Sequence, residues 1–64
     1  KLIFARKISN NWDLYEIDLN SLNELQITNT LGDEWDPIYS KDGKSIIYAG
    51  EFGFFGGIFK KNLH

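Results

Sequence analysis

The sequence has no cysteine, no methionine, a single proline and a single histidine. Without cysteine there can be neither a disulfide nor a thiolate metal site, and the absence fits any redox compartment. The one histidine, His64, closes the chain, where ends fray. Ser9, Ser21, Ser40 and Ser45 sit in or beside turns, and none stands in a Gly-x-Ser-x-Gly elbow. A serine nucleophile therefore has no base to activate it, and no catalytic residue is expected. No apolar run approaches the roughly 20 residues of a membrane helix. Charge is short as well, with a net value of −2 and the basic residues scattered, adjacent only at Arg6-Lys7 and Lys60-Lys61. A nucleic-acid footprint needs a basic stripe, so none is expected. Gly50 to Gly57 fits neither phosphate-loop pattern and no helix follows it, so no cofactor is expected. No stretch keeps a 3.6-residue period, which predicts no substantial helix. The chain opens at Lys1 rather than Met and shows no signal-peptide pattern, which suggests a processed or partial chain.

What is present is a rhythm of short strands and turns. The 64 residues make one small domain at most, and a chain of that size buries only about 60% of its unfolded surface. Residues 35 to 49 read as a tight hairpin. Asp36 precedes Pro37 and is thereby pushed toward extended backbone. Ser40-Lys41-Asp42-Gly43 supplies a turn, with Gly43 taking a positive φ. Ser45 to Ala49 is almost wholly apolar and calls for cover on both faces. Upstream, Lys1 to Arg6 is a short strand and Ser9 to Trp12 a loop. Asp13 to Leu19 alternates, with Tyr15, Ile17 and Leu19 expected inward and Glu16 and Asp18 outward. Glu24 to Thr28 alternates again, with Leu25 and Ile27 inward. Residues 29 to 34 form a polar loop, 50 to 57 a loop rich in Gly and Phe, and 58 to 63 a last strand.

The chain also repeats itself. Ile3-Phe4-Ala5 matches Ile47-Tyr48-Ala49, Leu14-Tyr15 matches Ile58-Phe59, and Leu19 matches Leu63, each pair 44 residues apart. A period of about 40–45 residues with four short strands per unit is the signature of a β-propeller blade. With the strands of a blade lettered a to d from the inside out, residues 1–29 supply b-c-d of one blade and 36–63 supply a-b-c of the next. The expected fold is all-β: about one and a half propeller blades of short antiparallel strands.

Ile27-Thr28-Asn29, Trp35-Asp36-Pro37, Ser40-Lys41-Asp42-Gly43-Lys44, Ile46-Ile47-Tyr48 and Asp13-Leu14-Tyr15 together resemble the WD40-like repeat of the TolB type. Lys41 stands where that family usually has proline, and Gly57-Ile58-Phe59 stands where a second Asp-Ile-Tyr is usual. The resemblance spans nearly all of the chain but only about one and a half repeats. It implies a non-enzymatic binding scaffold that presents loops to a protein or ligand, and a periplasmic or envelope setting. The alternative it implies is the propeller portion of a larger hydrolase, serine-peptidase-like, whose catalytic residues lie outside this chain. Partners would then be a further protein, more blades of a parent chain, or other copies of this one.

Two clusters are candidates for binding. Asp33, Glu34 and Asp36 are acidic neighbours, but their spacing does not match an EF-hand loop, so solvated carboxylates rather than a metal site are expected. Trp12, Trp35, Phe52, Phe54 and Phe55 fall in loops or at strand edges. Such aromatics serve either as packing between blades or as a recognition surface. In an antiparallel blade successive turns alternate between ends. The Asn20–Asn23 and Ser40–Lys44 turns should share one end. The loops bearing both candidate clusters should share the other.

Overall fold

The computed structural model describes residues 1–63, and His64 lies outside the described residues. Six strands form in chain order: β1 (Leu2–Ile8), β2 (Asn11–Ile17), β3 (Glu24–Gln26), β4 (Asp33–Tyr39), β5 (Ser45–Phe52) and β6 (Phe55–Asn62). They make two three-stranded antiparallel sheets, β1-β2-β3 and β4-β5-β6, with no helix among the described residues. The fold is all-β. Each of the six predicted strands is present, including the short β3.

The strand boundaries differ from expectation: β2 ends at Ile17 rather than Leu19, β3 ends at Gln26 rather than Thr28, β4 begins at Asp33 within the expected loop, and two connections are tighter than expected. The expected loop at Ser9 to Trp12 is a two-residue hairpin, with Ser9 at φ +52° and Asn10 at φ +64°. Two consecutive positive φ values are the type I′ pattern, which matches the twist of the strands it joins, and Asn tolerates it well. The expected Gly/Phe loop at 50–57 is likewise a hairpin, closed by the Phe52↔Phe55 pair and turned by Gly53 at φ +64° and Phe54. Glycine at the first central position is the type II′ choice. In both places a run of turn-forming residues is longer than the turn itself, since two residues suffice to reverse the chain.

The two hairpins are in register with one another. Phe4 pairs with Tyr15 as Tyr48 pairs with Phe59, and Ala5 pairs with Leu14 as Ala49 pairs with Ile58. Their two-residue turns, 9–10 and 53–54, obey the same 44-residue offset. The sequence repeat is therefore also a repeat of hydrogen-bond register.

The Ser40–Lys44 turn behaves as its residues predict. Gly43 N donates to Ser40 O at 2.9 Å, and Gly43 has φ +73°. Asp42 Oδ1 accepts from Ser40 Oγ at 2.6 Å and from Lys44 N at 3.0 Å. Asp36 does not behave as predicted: its φ is +54° rather than extended. The β4–β5 ladder breaks between Trp35 and Ile38, so Asp36 and Pro37 form a bulge. Pro37 has no N–H to contribute to the ladder, and Asp is among the few residues that adopt positive φ.

Sheet β1-β2-β3 packs on β4 through β1 and β2. Leu14 and Ile46 are the fully buried apolar side chains of the join. On β2 the expected facing is inverted. Leu14 and Glu16 are buried, whereas Tyr15 and Ile17 are half-buried on the opposite face and Leu19 is exposed. Glu16 is turned inward because Tyr39 of β4 donates its hydroxyl to Glu16 Oε2 at 2.6 Å, with Lys1 Nζ 3.6 Å from Oε1. Tyr15 is sheltered by its own sheet: it stacks on Phe4 with ring centroids 6.0 Å apart, and the Arg6 guanidinium lies 4.8 Å from its centroid. Arg6 is fixed there by two hydrogen bonds to Glu24, at 2.6 and 3.0 Å. Leu25 pairs with Glu16 and so shares its face, but sheet β4-β5-β6 does not reach over it and it is exposed. On β5, Ser45, Ile46 and Gly50 are buried, while Ile47, Tyr48 and Ala49 are only half-buried.

Candidate functional site

The chain reversals divide between two ends of the stack, as alternation requires. At one end the β1–β2 turn, residues 27–32 and the β5–β6 turn come together. Trp12 N donates to Asp33 Oδ1 at 2.9 Å, and Asn11 Nδ2 donates to Thr30 O at 3.0 Å. A Cβ built on Gly32 would lie 2.2 Å from a Phe52 ring carbon, so the loop before β4 is pressed against the end of β5 and only glycine fits there.

The aromatic candidates do not form one patch. Residues paired directly across a ladder share a face, and faces alternate along a strand. Phe52 and Phe55 pair and therefore share the face of the second sheet turned toward the first, which also carries Tyr48 and Phe59. Phe52 meets Phe59 edge-on at 5.2 Å. Trp35 pairs with Ala49 and lies on the opposite face, half-buried. Trp12 is on the first sheet and exposed at its rim. Phe54 stands alone at the hairpin tip with a relative exposure of 105%, and Phe55 beside it is 78% exposed. Leu31, on the neighbouring loop, is 103% exposed. Leu31 carries no signal in the sequence, being a lone leucine in a polar loop.

The acidic trio is also dispersed. Asp36 is exposed at the bulge, within the strand rather than in a loop. Asp33 is half-buried and engaged by the Trp12 amide. Glu34, expected to be solvated, is fully buried. Its Oε2 accepts from Thr30 Oγ1 at 2.6 Å, and its Oε1 has no partner. Burial, reinforced by Asp13, pushes its carboxyl above the usual range, against the opposing bonds from Thr30 and Thr28.

Asp13 is the second buried acid here. Its carboxylate accepts from Asn11 Nδ2 at 3.0 Å, Thr30 N at 3.4 Å, and Gln26 Nε2 and Thr28 Oγ1 at 3.5 Å. Thr28 Oγ1 in turn accepts from Leu14 N at 2.9 Å. The Asp-Leu-Tyr and Ile-Thr-Asn motifs thus meet side chain to side chain. Both were visible in the sequence, but their contact depends on β2 and β3 pairing and on the path of the chain after β3. Among the described residues, no group of three or more His, Cys, Asp or Glu side chains is placed to hold a metal ion.

At the opposite end, an open cleft of about 500 Å³ lies between the sheets, walled by Leu25, Ile27 and Leu63 with Glu16 and Tyr39 at its polar side. The hydroxyl of that Tyr39 is held protonated far beyond its ordinary range, by burial and by the Glu16 carboxylate that accepts its hydrogen. No family model, curated protein or solved structure matches this chain.

Proposed function

We propose that this chain is a non-enzymatic binding scaffold: two consecutive incomplete blades of a TolB-like β-propeller, the first contributing b-c-d and the second a-b-c. The shared register of the 44-residue repeat supports this reading, as does the stacking of one antiparallel sheet on the next. A partner docks at the end where Phe54, Phe55 and Leu31 project, with Trp12 at its edge.

The observation that carries the proposal is the β5–β6 hairpin tip. Two phenylalanines held in solvent by a two-residue turn lose little freedom on binding, and rigid exposed aromatics are the usual anchors of interfaces. Since Asp33 is engaged and Glu34 buried, the exposed acids of this region are Asp36 and Glu51. An apolar partner segment flanked by basic residues fits that arrangement.

The test is the pair Phe54→Ala and Phe55→Ala in the intact protein. Both side chains are exposed, so folding stability should move by no more than about 0.5 kcal/mol. Affinity for partners captured by the intact protein should fall by about 1–2 kcal/mol or more if the tip is a hot spot. A loss of stability with affinity unchanged would make these aromatics packing residues against further sheets, and the proposed docking end would be wrong.

A further inference from the structure

We propose that Asp13 and Glu34 hold one proton between them as a carboxyl–carboxylate pair, and that this pair is a pH-sensitive latch joining the two sheets. Asp13 belongs to β2 and Glu34 to β4, and Thr30, in the segment that connects the sheets, binds both: its N–H donates to Asp13 Oδ1 and its hydroxyl to Glu34 Oε2. The donors are shared unequally. Four reach the Asp13 carboxylate, at 3.0 to 3.5 Å, while at Glu34 the Thr30 hydroxyl reaches Oε2 and Oε1 is left unpartnered. An ionised Glu34 would bury a second negative charge beside the first with one oxygen unpartnered, the costly arrangement for a desolvated acid. A proton on Glu34 Oε1 removes that charge and turns the orphan acceptor into a donor, for which Asp13 is the neighbouring acceptor. Of the two, Glu34 is therefore the one that holds the proton.

Among the described residues, the surroundings offer no other neutralising group. Asp13 from β2 and Tyr48 from β5 are the titratable groups that interact with Glu34, and Asp33 and Asp36 are its neighbours on β4. Among the described residues the ion pairs are Lys1–Glu16 and Arg6–Glu24, and neither touches this pair. Because Glu34 binds its proton more tightly folded than unfolded, the latch contributes fully below the ordinary glutamate value. It is lost as pH rises through the raised one.

The experiment is urea unfolding of the intact protein from about pH 4 to pH 9, for the parent and for Glu34→Gln, with a carboxyl-carbon NMR titration of Glu34 in the parent. The parent should unfold more readily as pH rises, by up to about tenfold in the unfolding constant per pH unit for one linked proton. Glu34→Gln, permanently neutral and able to donate to Asp13, should lack that component. The NMR titration should place Glu34 above the ordinary value of about 4.3. A Glu34 carboxyl titrating at or below that value overturns the proposal, as does an identical pH slope in parent and variant. The NMR arm uses the unmodified protein and decides alone if the variant does not fold.

Discussion

Replacing Ile58 by alanine in the intact protein tests whether a further sheet covers the outer face of β4-β5-β6. Ile58 is the repeat counterpart of Leu14, and the two occupy equivalent ladder positions, opposite Ala49 and Ala5 respectively. Leu14 is 0% exposed because the second sheet lies over it, whereas Ile58 is 74% exposed and shares its bare face with Trp35, Ile38, Ile47 and Ala49. Truncating a buried leucine or isoleucine costs about 2–5 kcal/mol, the lost transfer energy plus the cavity left behind. Truncating an exposed one changes stability by about 0.5 kcal/mol or less. If another blade stacks on this face as the second sheet stacks on the first, Ile58→Ala in the intact protein should cost about 2 kcal/mol or more. Leu14→Ala serves as the internal reference for a covered site. The assay is the shift in urea midpoint at constant m-value, so that a change in compactness is not mistaken for lost packing. An Ile58→Ala variant within about 0.5 kcal/mol of its parent, beside a severe Leu14→Ala, would show that the face stays bare and would refute continued stacking.

Two further outcomes follow from single hydrogen bonds. Tyr39→Phe removes the hydroxyl donor to Glu16 Oε2 and leaves a buried carboxylate oxygen unpartnered, so stability at neutral pH should drop by about 1–3 kcal/mol in chemical denaturation. Asp42 is held below the ordinary carboxylate range, first by the Ser40 hydroxyl and then by the Lys44 amide. Its contribution is present above the unfolded value and is lost as pH falls through the lowered folded one. Asp42→Asn should therefore be less stable than the parent near neutrality, and melting curves of the two should converge as the pH is taken below about 4.

Local pattern determined most of the strand layout. Alternation in 13–19, the apolar run at 45–49 and the Ser-Lys-Asp-Gly turn each fix a period or a bend within a few residues; the last two are present where the sequence places them, while β2 is shifted to Asn11–Ile17 and leaves Leu19 in the following turn. The 44-residue offset was legible too, because equivalent ladder positions carry similar side chains, such as Phe4-Ala5 and Tyr48-Ala49. Tertiary structure decided which face of each strand is covered. Period-two alternation identifies two faces of β2 without saying which meets the other sheet. Glu16 lies inside because Tyr39, 23 residues away, offers it a hydroxyl. Tyr15 can lie outside because Arg6 and Phe4 shelter its ring. The same holds for Glu34, a loop acid by its neighbours in sequence and a buried one by its neighbours in space. Spacing along a chain sets where a side chain can point, while the cost of desolvating a charge depends on donors brought in by other strands.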